Sequence, residues 1–107
     1  DHPTVPNVAA SPDALRPDRV VEVKCPMPPA WMDVKRTMKI PAEYRWQVRW
    51  QMWCAGKSLA DFVCYHPSAG GIIIAAELID EDAAAMAERV PLVEAMISEW
   101  IKILEAA

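Results

Sequence analysis

The chain is predicted to fold as an α+β domain, in which a small sheet, mainly antiparallel or mixed, is covered by helices. Two observations concern strands: β-branched residues cluster at 20–23, and two further apolar runs at 59–65 and 72–79 flank a glycine-containing turn. The third concerns the end of the chain, where apolar residues recur every three or four positions after residue 80. That spacing is typical of an amphipathic helix.

Size and composition favour one small globular domain spanning residues 1–107. The chain has 107 residues, and 53% of them are hydrophobic, which suits a single packed core. The longest apolar run, at 71–76, is far shorter than the ~20 residues that cross a bilayer. We expect no signal peptide. Three cysteines in apolar segments (Cys25, Cys54 and Cys64) predict reduced, buried thiols and a cytoplasmic location away from any membrane.

The charge is unevenly distributed along the chain. Residues 1–57 contain nine Lys or Arg against six Asp or Glu, and the rest contains two against nine, giving a net charge of −4. The basic half therefore favours contact with nucleic acid more than the overall charge does. A merely soluble surface is the alternative. The basic residues that cluster are Lys35, Arg36, Lys39, Arg45 and Arg49.

Residues 11–26, SPDALRPDRVVEVKCP, are the most informative stretch. Pro17 and Asp18 are typical of a turn, and a hairpin folded there would bring Asp13 alongside Glu22. Alternate side chains of a strand share one face, so Glu22 and Lys24 point the same way. The opposite face would then carry Val21, Val23 and Cys25, which we expect in the core.

Two carboxylates and a lysine on one sheet face suit a divalent cation that acts on a phosphate. Mg²⁺ prefers oxygen ligands and keeps several waters, so one or two carboxylates leave room for a phosphate oxygen. Asp13 and Glu22 are the candidate ligands, the backbone carbonyl of Val23 is a further one, and Lys24 would orient water or stabilise charge. The alternative is a solvated Glu–Lys pair on a surface strand.

Two helices are predicted between the first strand and the apolar runs. The first covers residues 30–38, with Trp31, Val34 and Met38 on its apolar side. The second has Pro41 in its first turn and Gly56 as its C-terminal cap. One face of this second helix carries Tyr44, Gln47, Val48, Gln51 and Ala55.

Two amides on a mostly buried helix face need hydrogen-bond partners. Gln47 would find them beside a metal–phosphate site. Gln51 is equally suited to a structural position at a strand end. The tryptophans of this helix are better suited to core packing than to base stacking.

The ends of the chain carry no predicted chemistry. Residues 1–7 are expected to form a loop, and residues 8–10 to begin a short strand. Asp80 is a suitable N-cap for the last helix, which Pro91 is expected to kink or split. We assign no catalytic function to either histidine.

Four segments in order resemble the phage lambda exonuclease and YqaJ-type viral recombinase family, which has the PD-(D/E)xK nuclease signature. Residues 11–15 (SPDAL) and 21–26 (VEVKCP) resemble its two halves, residues 44–47 (YRWQ) resemble its Tyr-x-x-Gln helix, and residues 60–67 (ADFVCYHP) resemble the next strand. The resemblance implies a restriction-endonuclease-like core and a Mg²⁺- or Mn²⁺-dependent exonuclease that degrades duplex DNA from 5′ ends. The implied catalytic residues are Asp13, Glu22, Lys24 and Gln47, and the candidates for DNA binding are Ser11, Lys35, Arg36, Lys39 and Arg45.

The same resemblance implies partners and one departure. The family often forms a ring-shaped trimer around DNA and works beside a single-strand annealing protein. It usually has a helical section before the first strand, which contributes an acidic residue, so we expect this chain to correspond to the C-terminal catalytic core. The alternatives are an endonuclease or repair nuclease of the same fold, a truncated non-catalytic DNA-binding or assembly module, and a plain interaction domain.

Overall fold

The computed structural model describes residues 2–4 and 9–106 and confirms the α+β class. The expected loop at 1–7 and the expected strand start at residue 8 lie largely outside the described residues, and residues 9 and 10 are not in a strand. The elements in chain order are β1 (Ala14–Leu15), β2 (Arg19–Lys24), α1 (Pro28–Thr37), α2 (Ala42–Ala55), β3 (Leu59–His66), β4 (Gly70–Glu77) and α3 (Asp80–Ala106).

The four described strands form one mixed sheet in the order β1-β2-β3-β4. β1 and β2 are antiparallel, and the predicted turn is present, because Arg16 and Arg19 exchange backbone hydrogen bonds of 2.8 and 3.4 Å. β3 and β4 form the second antiparallel pair. β2 and β3 are parallel, so the chain must cross over between them, and α1 and α2 provide that crossover.

Both helices of the crossover cover the same face of the sheet. Val20 of β2 and Phe62 of β3 lie on this face, with exposed fractions of 0% and 1%. The side chains that form this core are Val20, Trp31, Val34, Val48, Met52, Ala60, Phe62, Cys64 and Ile72.

The predicted orientation of β2 was wrong. Val23 is 39% exposed and Cys25 is exposed, whereas Glu22 is only 5% exposed. Valines alternate on both faces of this strand, so its own sequence does not show which face the helices cover. The crossover covers the face of Val20, which places Glu22 between helix and sheet. Buried thiols were correctly predicted for Cys54 and Cys64.

The helix ends of the crossover differ in part from prediction. α1 begins at Pro28, two residues before the predicted start, and Pro41 is the N-cap of α2 and not a first-turn residue. Gly56 adopts the predicted left-handed cap with φ of 68°. Met38 was expected on the apolar face of α1, but it caps that helix with φ of 52° and is 50% exposed. Its N–H donates to the carbonyl of Val34, which ends the helix before Met38 can reach the core.

α3 begins at Asp80 as predicted and continues as one helix to Ala106. Pro91 was expected to kink or split the helix. The helix is not split, because a proline removes only one N–H donor and the flanking turns remain helical. Met86 in the first half is buried against Trp53 and Cys54 of α2. From residue 91 onward every described side chain of α3 is exposed. Within the described residues, no helix is both long and apolar enough to cross a membrane.

Candidate active site

The β1–β2 hairpin places Asp13 beside the charged end of β2. Its register pairs Ala14 with Val21, and one residue further along it sets Asp13 opposite Glu22. Opposed residues of an antiparallel pair carry their side chains on the same face. The Asp13 Oδ2 atom also accepts a hydrogen bond of 2.8 Å from the N–H of Val23. This bond fixes the exposed carboxylate close to the residue that separates Glu22 from Lys24.

Glu22 and Lys24 point the same way, as their spacing predicts. Lys24 Nζ lies 3.4 Å from Glu22 Oε1, and the two side chains are 26% and 6% exposed. The second carboxylate oxygen, Glu22 Oε2, is buried and has no hydrogen-bond partner among the described residues. A buried, unpaired carboxylate oxygen is costly, so the site favours a cationic ligand at this atom.

The donor set at this position fits a hard divalent cation. Asp13 and Glu22 supply carboxylate oxygens, and one or two carboxylates together with waters and a phosphate are the usual surroundings of Mg²⁺. The orphaned Glu22 Oε2 supports the fit. Among the residues that the structure describes, no group of three or more His, Cys, Asp or Glu side chains could hold a metal. The Val23 carbonyl, between Glu22 and Lys24 in the sequence, is a candidate for a further oxygen ligand.

Two aromatic residues complete the surroundings of Lys24. Lys24 Nζ lies 4.7 Å from the centroid of the Tyr44 ring, and the Tyr44 ring stacks on Phe62 at 6.0 Å. Tyr44 was predicted on an apolar helix face and as part of the Tyr-x-x-Gln resemblance, and Phe62 as part of the strand that follows it, but neither was assigned a role at the site. Their place at the site depends on the parallel pairing of Glu22 with Phe62, which no local sequence signal reveals.

The two glutamines of α2 occupy different environments. The expectation that both lie on a buried face was wrong for Gln47, which is exposed. Gln51 is 4% exposed, and its Oε1 atom has no partner among the described residues. Relative to Tyr44, Gln47 is turned by about 60° and Gln51 by only about 20° around the helix axis, so Gln51 lies nearer the centre of the buried stripe.

The basic residues predicted to contact DNA are all exposed, as is Ser11. Arg36 pairs with Asp33 at 3.1 Å on α1, and Arg45 Nε donates to the Ile40 carbonyl at 3.0 Å. Lys39 and Arg45 line an open cleft of about 320 Å³ between α1 and α2. The structure thus brings two of these basic residues together at the α1–α2 connection.

Arg49 lines a second cleft together with Lys39 and Arg45. It pairs with Asp82 at 3.3 Å, and its guanidinium lies 4.6 Å from the Trp46 ring centroid. The ion pair with Asp82 joins α2 to α3, so Arg49 has a structural role.

A second charged cluster lies on the other face of the sheet. Arg19 donates to Asp61 of β3 at 2.9 Å and to Asp18 at 3.0 Å. The hydrogen bond from Arg19 lowers the pKa of the Asp18 carboxyl, and bonds to both carboxylates raise the pKa of Arg19. Arg19 belongs to β2 and Asp61 to β3, so this ion pair fastens the two neighbouring strands together.

The fold agrees with comparisons to known proteins. The chain belongs to the family of the YqaJ-like viral recombinase domain, whose model matches residues 1–58. Its structure is similar to that of an alkaline exonuclease (LHK-Exo) from Laribacter hongkongensis, with 30% sequence identity and a TM-score of 0.90. LHK-Exo in complex with dAMP also matches, with a TM-score of 0.89 and 30% identity. The predicted family is therefore confirmed.

The matches cover different shares of the two aligned chains. Each match covers 99% of this chain but only 57% of the LHK-Exo chain. The chain thus spans a little over half the length of these solved structures. No curated protein matches it at a significant level.

Proposed function

We propose that this chain is the catalytic core of a divalent-metal-dependent deoxyribonuclease of the exonuclease type. The observation that carries the proposal is the buried Glu22, whose unpartnered Oε2 lies on the same sheet face as Lys24 and Asp13. The family and the likeness to an alkaline exonuclease support the same activity. The proposed substrate is a duplex DNA end, degraded from 5′ to 3′ in the cytoplasm.

In this proposal Asp13 and Glu22 hold Mg²⁺ or Mn²⁺, with the Val23 carbonyl as a further ligand. The bound cation would acidify a water molecule and offset negative charge on the phosphate. Lys24 would orient the attacking water or stabilise the charged transition state. The water oxygen forms a bond to phosphorus, the bond to the 3′ oxygen breaks, and that oxygen takes up a proton. A deoxynucleoside monophosphate such as dAMP is the kind of product that this cleavage releases.

In this proposal the DNA backbone passes along basic residues of α1 and of the α1–α2 connection. Lys39 and Arg45 at the cleft, with Lys35 and Arg36 on α1, would contact phosphates. Gln47 is exposed near Tyr44 on α2, where it would assist by contacting the substrate, and Ser11 lies just before Asp13. We also propose two further partners: other copies of the chain in a trimer, and a single-strand annealing protein.

Incubation with linear and covalently closed DNA tests the activity. The wild type should degrade linear duplex in Mg²⁺ or Mn²⁺ but not in chelator, and it should leave the closed circle intact. Glu22→Gln should lose about a thousandfold or more, since both metal binding and charge stabilisation suffer. Glu88→Gln, an exposed glutamate on α3, is the matched control and should keep full activity.

Two results would contradict the proposal. Cleavage of the closed circle would indicate an endonuclease. If the wild type hydrolyses no DNA in either metal, the chain is not a nuclease. If Glu22→Gln is as active as the wild type, Glu22 has no part in the mechanism.

A second candidate function is a DNA-binding or assembly module of the same fold that does not hydrolyse DNA. One observation favours it: in the described part of the chain, no group of three or more His, Cys, Asp or Glu side chains could hold a metal. Calorimetric titration with Mn²⁺ separates the candidates. Binding that is lost in Glu22→Gln supports the nuclease, whereas DNA binding without any Mn²⁺ binding supports the module.

A further inference from the structure

We propose that Tyr44 is a positioning residue that holds the Lys24 ammonium against Glu22. Lys24 Nζ lies 4.7 Å from the Tyr44 ring centroid and 3.4 Å from Glu22 Oε1. The ammonium is therefore held between an aromatic face and a carboxylate oxygen. The inference rests on the proposed function only for the catalytic use of Lys24, because the contact itself is a property of the folded chain.

The Tyr44 ring is held in its orientation by stacking on the ring of Phe62. The two rings are 6.0 Å apart with an interplanar angle of 29°, and Phe62 is 1% exposed. Phe62 is also the ladder partner of Glu22 across the parallel β2–β3 pair. One continuous set of contacts thus runs from Phe62 through Tyr44 to Lys24 and then to Glu22, linking β3, α2 and β2.

Lys24 needs such a support more than a shorter side chain would. Its flexible stem and strongly hydrated ammonium favour many solvent-facing rotamers, and a quarter of the side chain is exposed. The negative face of an aromatic ring attracts a cation, which selects the rotamers directed towards the ring. In that position the ammonium occupies Glu22 Oε1 and leaves Oε2 without a partner, available for a cation.

A purely structural Tyr44 makes different predictions. If the ring only fills space between α2 and the sheet, its loss should change stability without changing the position of Lys24. If the ring positions Lys24, any aromatic ring at residue 44 should preserve the function, because the attraction comes from the ring face and not from the hydroxyl.

The first experiment observes the contact directly in the metal-free wild type by NMR. We expect nuclear Overhauser contacts between the Tyr44 ring protons and the Lys24 ε-methylene, with an upfield ring-current shift of that methylene. The shift should persist in Tyr44→Phe and vanish in Tyr44→Leu. Absence of the contact in the wild type would overturn the proposal, and this result is independent of whether the chain hydrolyses DNA.

The second experiment measures kcat and KM on linear duplex DNA. Tyr44→Leu should lower kcat about five- to tenfold and leave KM within about twofold, whereas Tyr44→Phe should stay close to wild type. Tyr65→Leu, the other tyrosine, which is 44% exposed, is the control and should change neither constant. Unchanged kcat in a folded Tyr44→Leu, or an equal loss in Tyr44→Phe, would contradict the positioning by the ring. Wild-type protein without any hydrolysis would instead refute the proposed function, and the NMR contact would still decide the role of Tyr44.

Discussion

Two regions of the molecule differ in what happens to their apolar residues. These residues are buried where α2 packs on β2, but they are exposed in the second half of α3. Between β2 and α2, apolar side chains such as Val48 are buried and enclose a carboxylate, Glu22. In the second half of α3, Trp100 and Leu104 are 56% and 74% exposed although they lie on a regular apolar stripe. An apolar stripe therefore predicts a helix more reliably than it predicts burial. The unusual feature that marks the site is a buried charge.

Truncation of one large aromatic residue in each region is the strongest way to test this contrast. Phe62→Ala should lower the free energy of unfolding by about 3–5 kcal/mol, because it leaves a cavity in a closely packed core. Trp100→Ala should change it by less than about 0.5 kcal/mol, since the side chain is half exposed. Urea unfolding at equal protein concentration measures both. A loss above 2 kcal/mol for Trp100→Ala would show that the second half of α3 is covered in solution.

One glutamate from each region sharpens the contrast through metal binding. Mn²⁺ at a hundred times its Kd should stabilise the wild type by about 2.7 kcal/mol, because it binds the folded state alone. Glu22→Gln should abolish this gain. Glu99→Gln on the exposed part of α3 should keep it. Thermal melts with and without Mn²⁺ are the measurement, and equal stabilisation of the two variants would contradict a site at Glu22.

Two exposed methionines, Met32 inside α1 and Met38 at its C-terminal cap, are similarly exposed but differ in backbone conformation. Met38 has a left-handed backbone at φ of 52°, so Met38→Gly should raise the unfolding free energy by about 0.5–1 kcal/mol. Met32 lies inside the helix and is 58% exposed, so Met32→Gly should lower it by about 1 kcal/mol. Chemical denaturation of both variants compares the signs. A loss in Met38→Gly would show that its side chain contributes packing.

The smallest expected effect on the free energy of unfolding comes from the two buried thiols, Cys54 and Cys64. Burial raises the pKa of Cys54 and Cys64 above the ordinary value of 9.0. The unfolded chain therefore ionises first, and this contribution to stability is present below pH 9.0 and is lost as the pH rises through the folded pKa. Cys54→Ala should make the alkaline decline of unfolding free energy shallower. An unchanged alkaline slope in Cys54→Ala would contradict this contribution.

Local sequence signals predicted most of the helices and strands and, at the site, the common direction of Glu22 and Lys24. The turn at Pro17 and Asp18, the Gly56 cap and the start of α3 at Asp80 all follow from residues within a few positions of one another. The common direction of Glu22 and Lys24 follows from strand alternation. These features depend on the nearest neighbours along the chain, which a single sequence displays.

Features that depend on distant pairing were missed. The burial of Glu22 required knowledge of which face of β2 the crossover covers, and both faces carry valines. The exposure of Gln47 and the burial of Gln51 depend on how α2 is rotated against the sheet. The ring of Tyr44 over Lys24 depends on β2 and β3 lying side by side, although they are separated by two helices.

The parallel pairing of β2 with β3 also has a consequence for the order of folding. Arg19 is the ladder partner of Leu59, so this contact closes a segment that contains the whole crossover. Closing so long a segment costs chain entropy before any ladder bond forms, and non-local contacts of this kind slow folding. During synthesis, the β1–β2 hairpin can form early, but Glu22 acquires its neighbour Phe62 only after the ribosome has released β3. The hairpin can therefore bring Asp13 to β2 early, whereas the enclosure of Glu22 must wait until β3 pairs with β2.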